Sequence, residues 1–480
     1  MRARLLLYGE RPTDLHLLSQ EVVLTEGQLD SSYQVFRQLS PAGSIKGDFH
    51  EIKFTKDDTV LITMYEVAPA DLTSFGVFGQ GWISDSIFQE IDIETGELIF
   101  EWRASQHYAI NDTFETIGSK GQSPEKPWDF FHINSIDKDD RGNYHVSSRF
   151  MHSITCISPE GDVRWVLGGR RNDFMDISGG EAISYKWQHD MTLHDNMTIS
   201  LFDNAEHDKF KHDGTIGRGM VLALDIEQMT VELVRTFENP DGRAPPSQGS
   251  MQYDASTGTA FIGWGFHGGY TDFDSEGNVI CHAHITPSLT FDLGWVHSYR
   301  TIRIEAWVGR PAYPPSIYMA PLAGKAFVSW NGATKVVRWR VEMAQLPDTP
   351  GDELEFVETA HATKRGFETA VDVPARYGHG YLRVSALDAE NNVLGYTTVV
   401  DTRKGTAPKI LSPRLRLQQI VSDIPKYLLA ALVLAIVLWS VRKRLIKIAR
   451  LCAKLPLLTR LIRRPQAHGK AYELQPLYRD

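Results

Sequence analysis

"WDFFHINSIDKDDRGNYHVSSRF", residues 128–150, is the stretch on which the fold turns. Two strand-like runs flank a polar turn, Lys138 to Asn143, which is the pattern of antiparallel β architecture. Alternation in "FFHINSI" puts Phe131, Ile133 and Ser135 on one face and His132 and Asn134 on the other. Arg149, on the second run, stands where a strand would point it inward with them. A polar face opposite aromatics is either surface decoration or a site.

The same unit recurs along the chain. "TVLITMYE" is followed by "IFQEIDIETGELIFEW", and "NYHVSSRF" by "ITCISPEGDVRWVLGG". "MTISLFDNA" precedes "MVLALDIEQMTVELVRTFE", and "TAFIGWG" precedes "YTDFDSEGNVICHAHI". Each reads strand, connection, strand, acidic or glycine turn, strand, while helical periodicity is scarce before residue 410. Radial repetition of such units is a β-propeller. Four units are clear. "SSYQVFRQL" (31–39) supplies the end of an earlier one, and "TIRIEAWVG" (301–309) is expected to close the ring. Five or six blades fit, and six is the expectation, over residues 1–310.

After Pro311 a proline-rich entry leads to short alternating strands, expected to form a fibronectin type III-like sandwich over 311–403. A polar linker, 404–426, precedes "YLLAALVLAIVLWSV" (427–441) and a segment with nine Lys/Arg and no acid between Arg442 and Arg464. A buried globular helix would explain the apolar run alone. The basic segment directly after it favours a transmembrane helix over 427–445, with a cytoplasmic tail over 446–480 and the propeller lumenal or extracellular. That topology calls for a signal peptide, and "MRARLLLYGERPTDL" lacks the apolar core of one. The sequons at Asn111 and Asn196 suit a glycoprotein of that topology. The net charge of −10 argues against nucleic acid as a partner. Cys156, Cys281 and Cys452 make neither a disulfide framework nor a metal-ligand spacing, although one Cys156–Cys281 bridge remains open.

Several segments bring chemistry to the inner strands of this arrangement. "GDFHEIKF" carries His50 and Glu51, "KWQHDMTLHD" carries His189, Asp190 and His194, and "SLFDNA" carries Asp203 and Asn204. A lone histidine in a strand is ordinarily a satisfied core or surface residue. Arg149 alone could be an inter-blade salt bridge, and Asp203 and Asn204 read best as turn or blade-locking residues. Trp165, Gly168 and Gly169 read as packing and turn residues, and Glu51 as support for His50 or a solvated acid.

Taken together, "DFHEI", "FQEIDIETGELIFEW", the opening stretch, "DVRWVLGG", "WQHD", "SLFDNA" and "SWNGATKVVRW" closely resemble the fungal branch of the arylsulfotransferase (ASST) family, from about residue 30 to 402. The resemblance implies a six-bladed propeller and a distant link to bacterial enzymes that move a sulfuryl group between phenols. Those enzymes need no nucleotide sulfate donor and pass through a sulfohistidine. By motif, His132, Asn134 and Arg149 resemble the residues that hold the sulfuryl oxygens, His189 the nucleophile, and His50 the remaining active-site histidine. His194 and His267 match nothing in the family and are expected to be structural.

The chemistry suits these residue types. A neutral imidazole can attack sulfur and expel a phenolate, splitting one hard transfer into two easier ones. Donors aimed at the charged oxygens do most of the work, and a guanidinium fork fits two of them. His132 or His50 would protonate the leaving phenolate, and Asp190 would orient His189 unless it is a turn residue. The implied partners are an aryl sulfate, a phenol and a membrane, with no cofactor. Two other readings stay open. One is a non-catalytic propeller receptor for a small aromatic or anionic ligand; the other is a His-ligated metal site, for which no compact spacing speaks.

Overall fold

The computed structural model describes residues 5–6, 26–207, 215–292, 295–304, 307–320, 322–345, 353–374, 380–406, 439 and 443. These residues are all-β: helix is confined to Ser288–Asp292, short 3-10 turns, and the isolated Trp439 and Lys443. The expected membrane helix and tail lie outside the described residues except at those last two positions. No described helix is long and apolar enough to cross a membrane.

The chain divides into two compact units. The first comprises residues 1–314, with Trp330–Val337 and Leu387–Leu394. It contains four successive antiparallel meanders and a three-stranded sheet formed by Leu5–Leu6, Glu26–Leu29 and Val35–Leu39. The first meander runs Gly47–Phe54, Thr59–Ala70, Gly81–Asp92, Leu98–Arg103. The second runs Ile133–Lys138, Tyr144–Ser148, Ser153–Ile157, Val163–Gly168. The third is His189–His194, Thr198–Asp203, Arg218–Asp225, Thr230–Glu238, and the fourth Ser250–Asp254, Thr259–Gly263, Gly269–Phe273, Val279–His284. Their four leading strands pack side by side in order, the placement that inner blade strands take in a propeller-like array. The described residues of 301–309 form no strand; they follow Ser250–Asp254 through side-chain bonds such as Thr301 N–H to Ser250 Oγ, 3.0 Å.

The acidic turns show why this sequence makes meanders. The Asp139 carboxylate accepts hydrogen bonds from the backbone N–H groups of Arg141 and Asn143 and from the Asn143 amide. Gly142 takes the left-handed conformation, φ 84°, that the reversal requires. The same construction recurs at Asp274–Asn278.

Apolar cores lie between successive meanders. Phe88, Trp102, Trp128, Phe130, Phe131 and Tyr144 join the first to the second. Trp165, Phe174, Tyr185 and Leu201 join the second to the third, and Phe202, Phe237, Ile262 and Trp264 the third to the fourth. Truncating one of these fully buried aromatics to alanine costs about 3–5 kcal/mol. Glu90, buried in the first meander, accepts hydrogen bonds from Lys138 and Tyr144 of the second, adding a polar lock.

The second unit is two sheets of short strands. One orders Ser316–Tyr318, Lys325–Ser329, Glu368–Asp372; the other orders Val357–Thr363, Arg338–Gln345, Gly380–Leu387, Val393–Tyr396. Fully buried Trp339 joins them, its indole N–H reaching Thr369 Oγ1 at 3.2 Å. Cys156 is buried in the second meander and Cys281 exposed in the fourth, both as free thiols, so the bridge between them is absent.

Candidate active site

Three of the leading strands lose their regular pairing where the chemistry sits. In the first, Gly47 pairs Met64 and Ile52 pairs Ile62, so Asp48–Glu51 bulge out of the ladder opposite Thr63 alone. In the second, Ser147 faces Ser135 and Ser148 faces Ile133, leaving Asn134 as the extra residue. In the third, the ladder slips between His189 and Thr192. A bulge re-aims side chains that strict alternation would send to one face or the other.

This corrects the reading of "FFHINSI". His132 precedes its strand with φ 62°, and Phe131, Ile133, Asn134 and Ser135 are all fully buried rather than sorted by face. Trp187, Asp190 and Gln248, nearby, also hold positive φ. Strained non-glycine backbone gathered in one place is characteristic of functional sites.

His50 and His132 meet edge to face, ring centroids 4.6 Å apart. Each is held through Nδ1 by its own carboxylate: His50 by Asp48, and His132 by Asp129 at 2.5 Å. Burial works against the ionised Asp48, but the bonds from His50 outweigh it and hold the carboxyl below its usual value. Burial pushes Asp129 up to about 7, and burial with the charges of His50 and Arg149 drives His132 well down. The His132–Asp129 pair therefore favours its neutral form.

Tyr299 stands near both His50 and His189, centroids 5.7 and 6.4 Å away. His189 is buried, and burial followed by the Arg149 charge keeps it well below the usual histidine value. Its tautomer follows from Asn204. That amide donates to the carbonyls of Pro245 and Gln248, both at 2.9 Å, so its oxygen accepts from His189 Nδ1 at 2.6 Å. Nε2 carries the lone pair, with the Gln248 N–H 3.3 Å from it.

Arg149 is placed by its backbone N–H on the His132 carbonyl. Its guanidinium donates to Pro246 O at 2.9 Å and lies over the rings of Phe150 and Trp187, 5.1 and 5.3 Å from their centroids. The buried Nε makes no hydrogen bond, and burial lowers the group to about 10, still protonated at neutral pH. Among the described residues it has no ion pair, so the inter-blade salt bridge is not its role.

His50, His132, Arg149 and His189 thus come together. Asn134 joins them differently, donating its amide N–H to the Gln188 carbonyl at 2.6 Å and fixing the backbone beside His189. Asp190 does not orient His189; it accepts from the Met251 N–H and pairs with Arg300. Glu51 also pairs with Arg300, which further donates to the Asn134 carbonyl. Asp203 is a turn and strand-locking residue, accepting from Lys186 and Ala205 N–H groups and from Arg218. His194 bonds Ser200 beside Tyr253, a structural role. Asp48, Asp129, Tyr299 and Arg300 were not legible as site residues, and Asn204, read as a turn or blade-locking residue, does bond across to Pro245 and Gln248 but also holds His189. The only sequence signals for the two aspartates were their spacings, two and three residues before a histidine.

The sequence profile of the Arylsulfotransferase (ASST) family matches residues 28–286, spanning all five predicted site residues. The chain belongs to this family. No curated protein sequence matches significantly. Among solved structures, a putative 6-phosphogluconolactonase from Bacteroides uniformis is 10% identical, covering 80% of this chain and 93% of that one, TM-score 0.32. A periplasmic gluconolactonase from Pseudomonas aeruginosa is 12% identical with the same coverage and TM-score. An inactive virginiamycin B lyase from Staphylococcus aureus is 8% identical, covering 73% and 86%, TM-score 0.27. Scores of this size carry neither a blade number nor an activity. The family match does support an arylsulfotransferase-like function, with aryl sulfates and phenols as the suggested substrates.

Proposed function

We propose that this protein transfers a sulfuryl group from an aryl sulfate to a phenol through a sulfohistidine on His189. The observation that carries the proposal is the fixed tautomer of His189: a neutral imidazole, its proton held by Asn204, with a lone pair on Nε2. That lone pair attacks sulfur as the sulfur–oxygen bond to the ring breaks, and the electron pair leaves on the phenolate. A proton from the His50–Asp48 or His132–Asp129 pair neutralises the phenolate. The acceptor phenol returns a proton to the same pair and attacks sulfur, breaking the sulfur–nitrogen bond. Arg149, charged and without a carboxylate partner among the described residues, supplies donors to the sulfuryl oxygens. Asn134 contributes by fixing the strand beside the nucleophile.

The wider reading is of the same kind. The blade count of six, the fibronectin type III-like identity of the second unit and a membrane helix over 427–445 with a lumenal or extracellular site rest on the sequence patterns. So do glycosylation and kinship with the fungal branch and its bacterial relatives. Asn111 and Asn196 are exposed, as glycan acceptors need to be.

A second reading, a receptor for an aromatic anion, is favoured by one observation. The Gln248 N–H already lies on the His189 lone pair. Incubation with 4-nitrophenyl sulfate separates the two. A transferase releases nitrophenolate when phenol is present and carries a sulfuryl adduct on His189 by mass spectrometry, and His189→Ala loses both. Binding without turnover leaves the receptor; turnover unchanged in His189→Ala removes the nucleophile.

A further inference from the structure

A second cluster lies away from these histidines. His282 and His284 alternate on Val279–His284, so both project from one face of this outer strand. Asp241 comes from the turn after Thr230–Glu238, the outer strand of the preceding meander, where Gly242 has φ 65°. The Asp241 carboxylate reaches His282 Nε2 at 3.4 Å through one oxygen and His284 Nε2 at 3.2 Å through the other. The two Nε2 atoms are 3.2 Å apart. Ligand spacing that the sequence did not reveal is therefore compact in space: two imidazole nitrogens and a carboxylate, all within 4.8 Å.

We propose that Asp241, His282 and His284 bind a zinc-class divalent cation that pins the outer rims of the third and fourth meanders together. The edge lengths support this choice. Ligand atoms about 2.0–2.1 Å from zinc at a tetrahedral angle stand about 3.4 Å apart, and an octahedral cis pair at the same radius about 3.0 Å. The donor set of two imidazoles and one carboxylate suits zinc, cobalt or nickel over calcium or magnesium.

The histidine is also oriented from behind. Trp264 Nε1–H donates to Thr271 Oγ1 at 2.8 Å, and that hydroxyl bonds His282 Nδ1 at 2.7 Å. A ligating imidazole needs such a partner on its far nitrogen to fix the ring. Side-chain exposures of 31% for Asp241, 20% for His282 and 34% for His284 leave the remaining coordination position to water. The site shares no residue with the sulfuryl-transfer centre and does not depend on it.

The test uses the untagged full-length protein, stripped with a chelator and titrated with zinc chloride in a calorimeter, then with cobalt(II) by absorption. One equivalent binds, and cobalt gives the intense visible bands of four-coordination. H282A/H284A weakens binding by roughly 100-fold or more, and D241N weakens it by roughly 10-fold. H189A, which removes an imidazole from the other cluster, leaves the titration unchanged. Failure to bind in the wild type, or binding that survives undiminished in H282A/H284A, overturns the proposal, and loss of that binding in H189A would place the cation at the other cluster. Should the double variant not fold, H284Q at the exposed rim, checked by circular dichroism, carries the same comparison.

Discussion

Two arginines at the centre of the first unit are treated in opposite ways. Arg300 pairs with Glu51 and Asp190 and donates to backbone carbonyls from two strands. Burial opposes its charge, yet the two carboxylates outweigh that and hold it well above its ordinary value. Arg149 has no ion pair among the described residues, only one carbonyl, two aromatic faces and an unbonded Nε, and burial outweighs the more distant charges of Glu115 and Asp129. A buried charge with all its partners inside the protein has little left for a ligand. One lacking an anion is incomplete until an anion arrives, and a sulfuryl group is such an anion.

The comparison predicts a division of labour. Arg300→Met strands two buried carboxylates, so urea denaturation is expected to show a loss of about 3–5 kcal/mol. Replacing all three groups by neutral ones (E51Q/D190N/R300M) recovers most of it. Arg149→Met is expected to lower transfer by about 10²–10³-fold, equivalent to about 2.7–4 kcal/mol. Its unfolding free energy is expected to hold or rise, because the substitution removes a charge that burial disfavours and breaks no ion pair among the described residues. If Arg149→Met unfolds as readily as Arg300→Met, the contrast is wrong and Arg149 is structural. A smaller effect belongs to Asn204→Leu, which frees the His189 tautomer: kcat falls by roughly 10–100-fold with KM nearly unchanged. A drop in KM affinity instead would make Asn204 a binding residue.

The repeat was legible because each meander ends its hairpins with Asp, Gly or Asn turns and fills the space between sheets with aromatics, both local signals. His50, His132, Arg149 and His189 were legible through their motifs. Their partners were not. Asp48 and Asp129 act through bulged or left-handed backbone, which period-two reasoning cannot foresee. Asn204 resembles a turn residue until Pro245 and Gln248, more than 40 positions on, orient its amide. Arg300 joins segments separated by as many as 250 positions, and no spacing announces that. The described residues of 301–309 lie beside Ser250–Asp254 without a backbone ladder. Side-chain bonds to Ser250 and Gln252 hold Thr301 and Arg303 there instead.

The field of an unpaired guanidinium also reaches His152, which lies on the same Trp187 ring, centroids 4.4 Å apart, and stacks on Phe114 at 4.2 Å. Its Nε2 is buried without a hydrogen bond, and burial, then the charges of Lys186 and Arg149, lower it to about 3. The unfolded chain takes up this proton below about pH 6.5 and the folded chain does not. The stability present above that pH is therefore lost as pH falls toward 3. Between pH 7 and 5.5 the loss is about 1 kcal/mol. Asp129 acts in the opposite sense: raised to about 7, it favours the fold at low pH, and that share is lost as pH rises through 7. Wild-type stability thus mixes the two, and the difference between wild type and His152→Phe isolates the histidine. Urea denaturation at both pH values is expected to show a smaller acid loss in His152→Phe. Identical acid losses in wild type and His152→Phe would mean that burial does not hold His152 neutral in the folded chain.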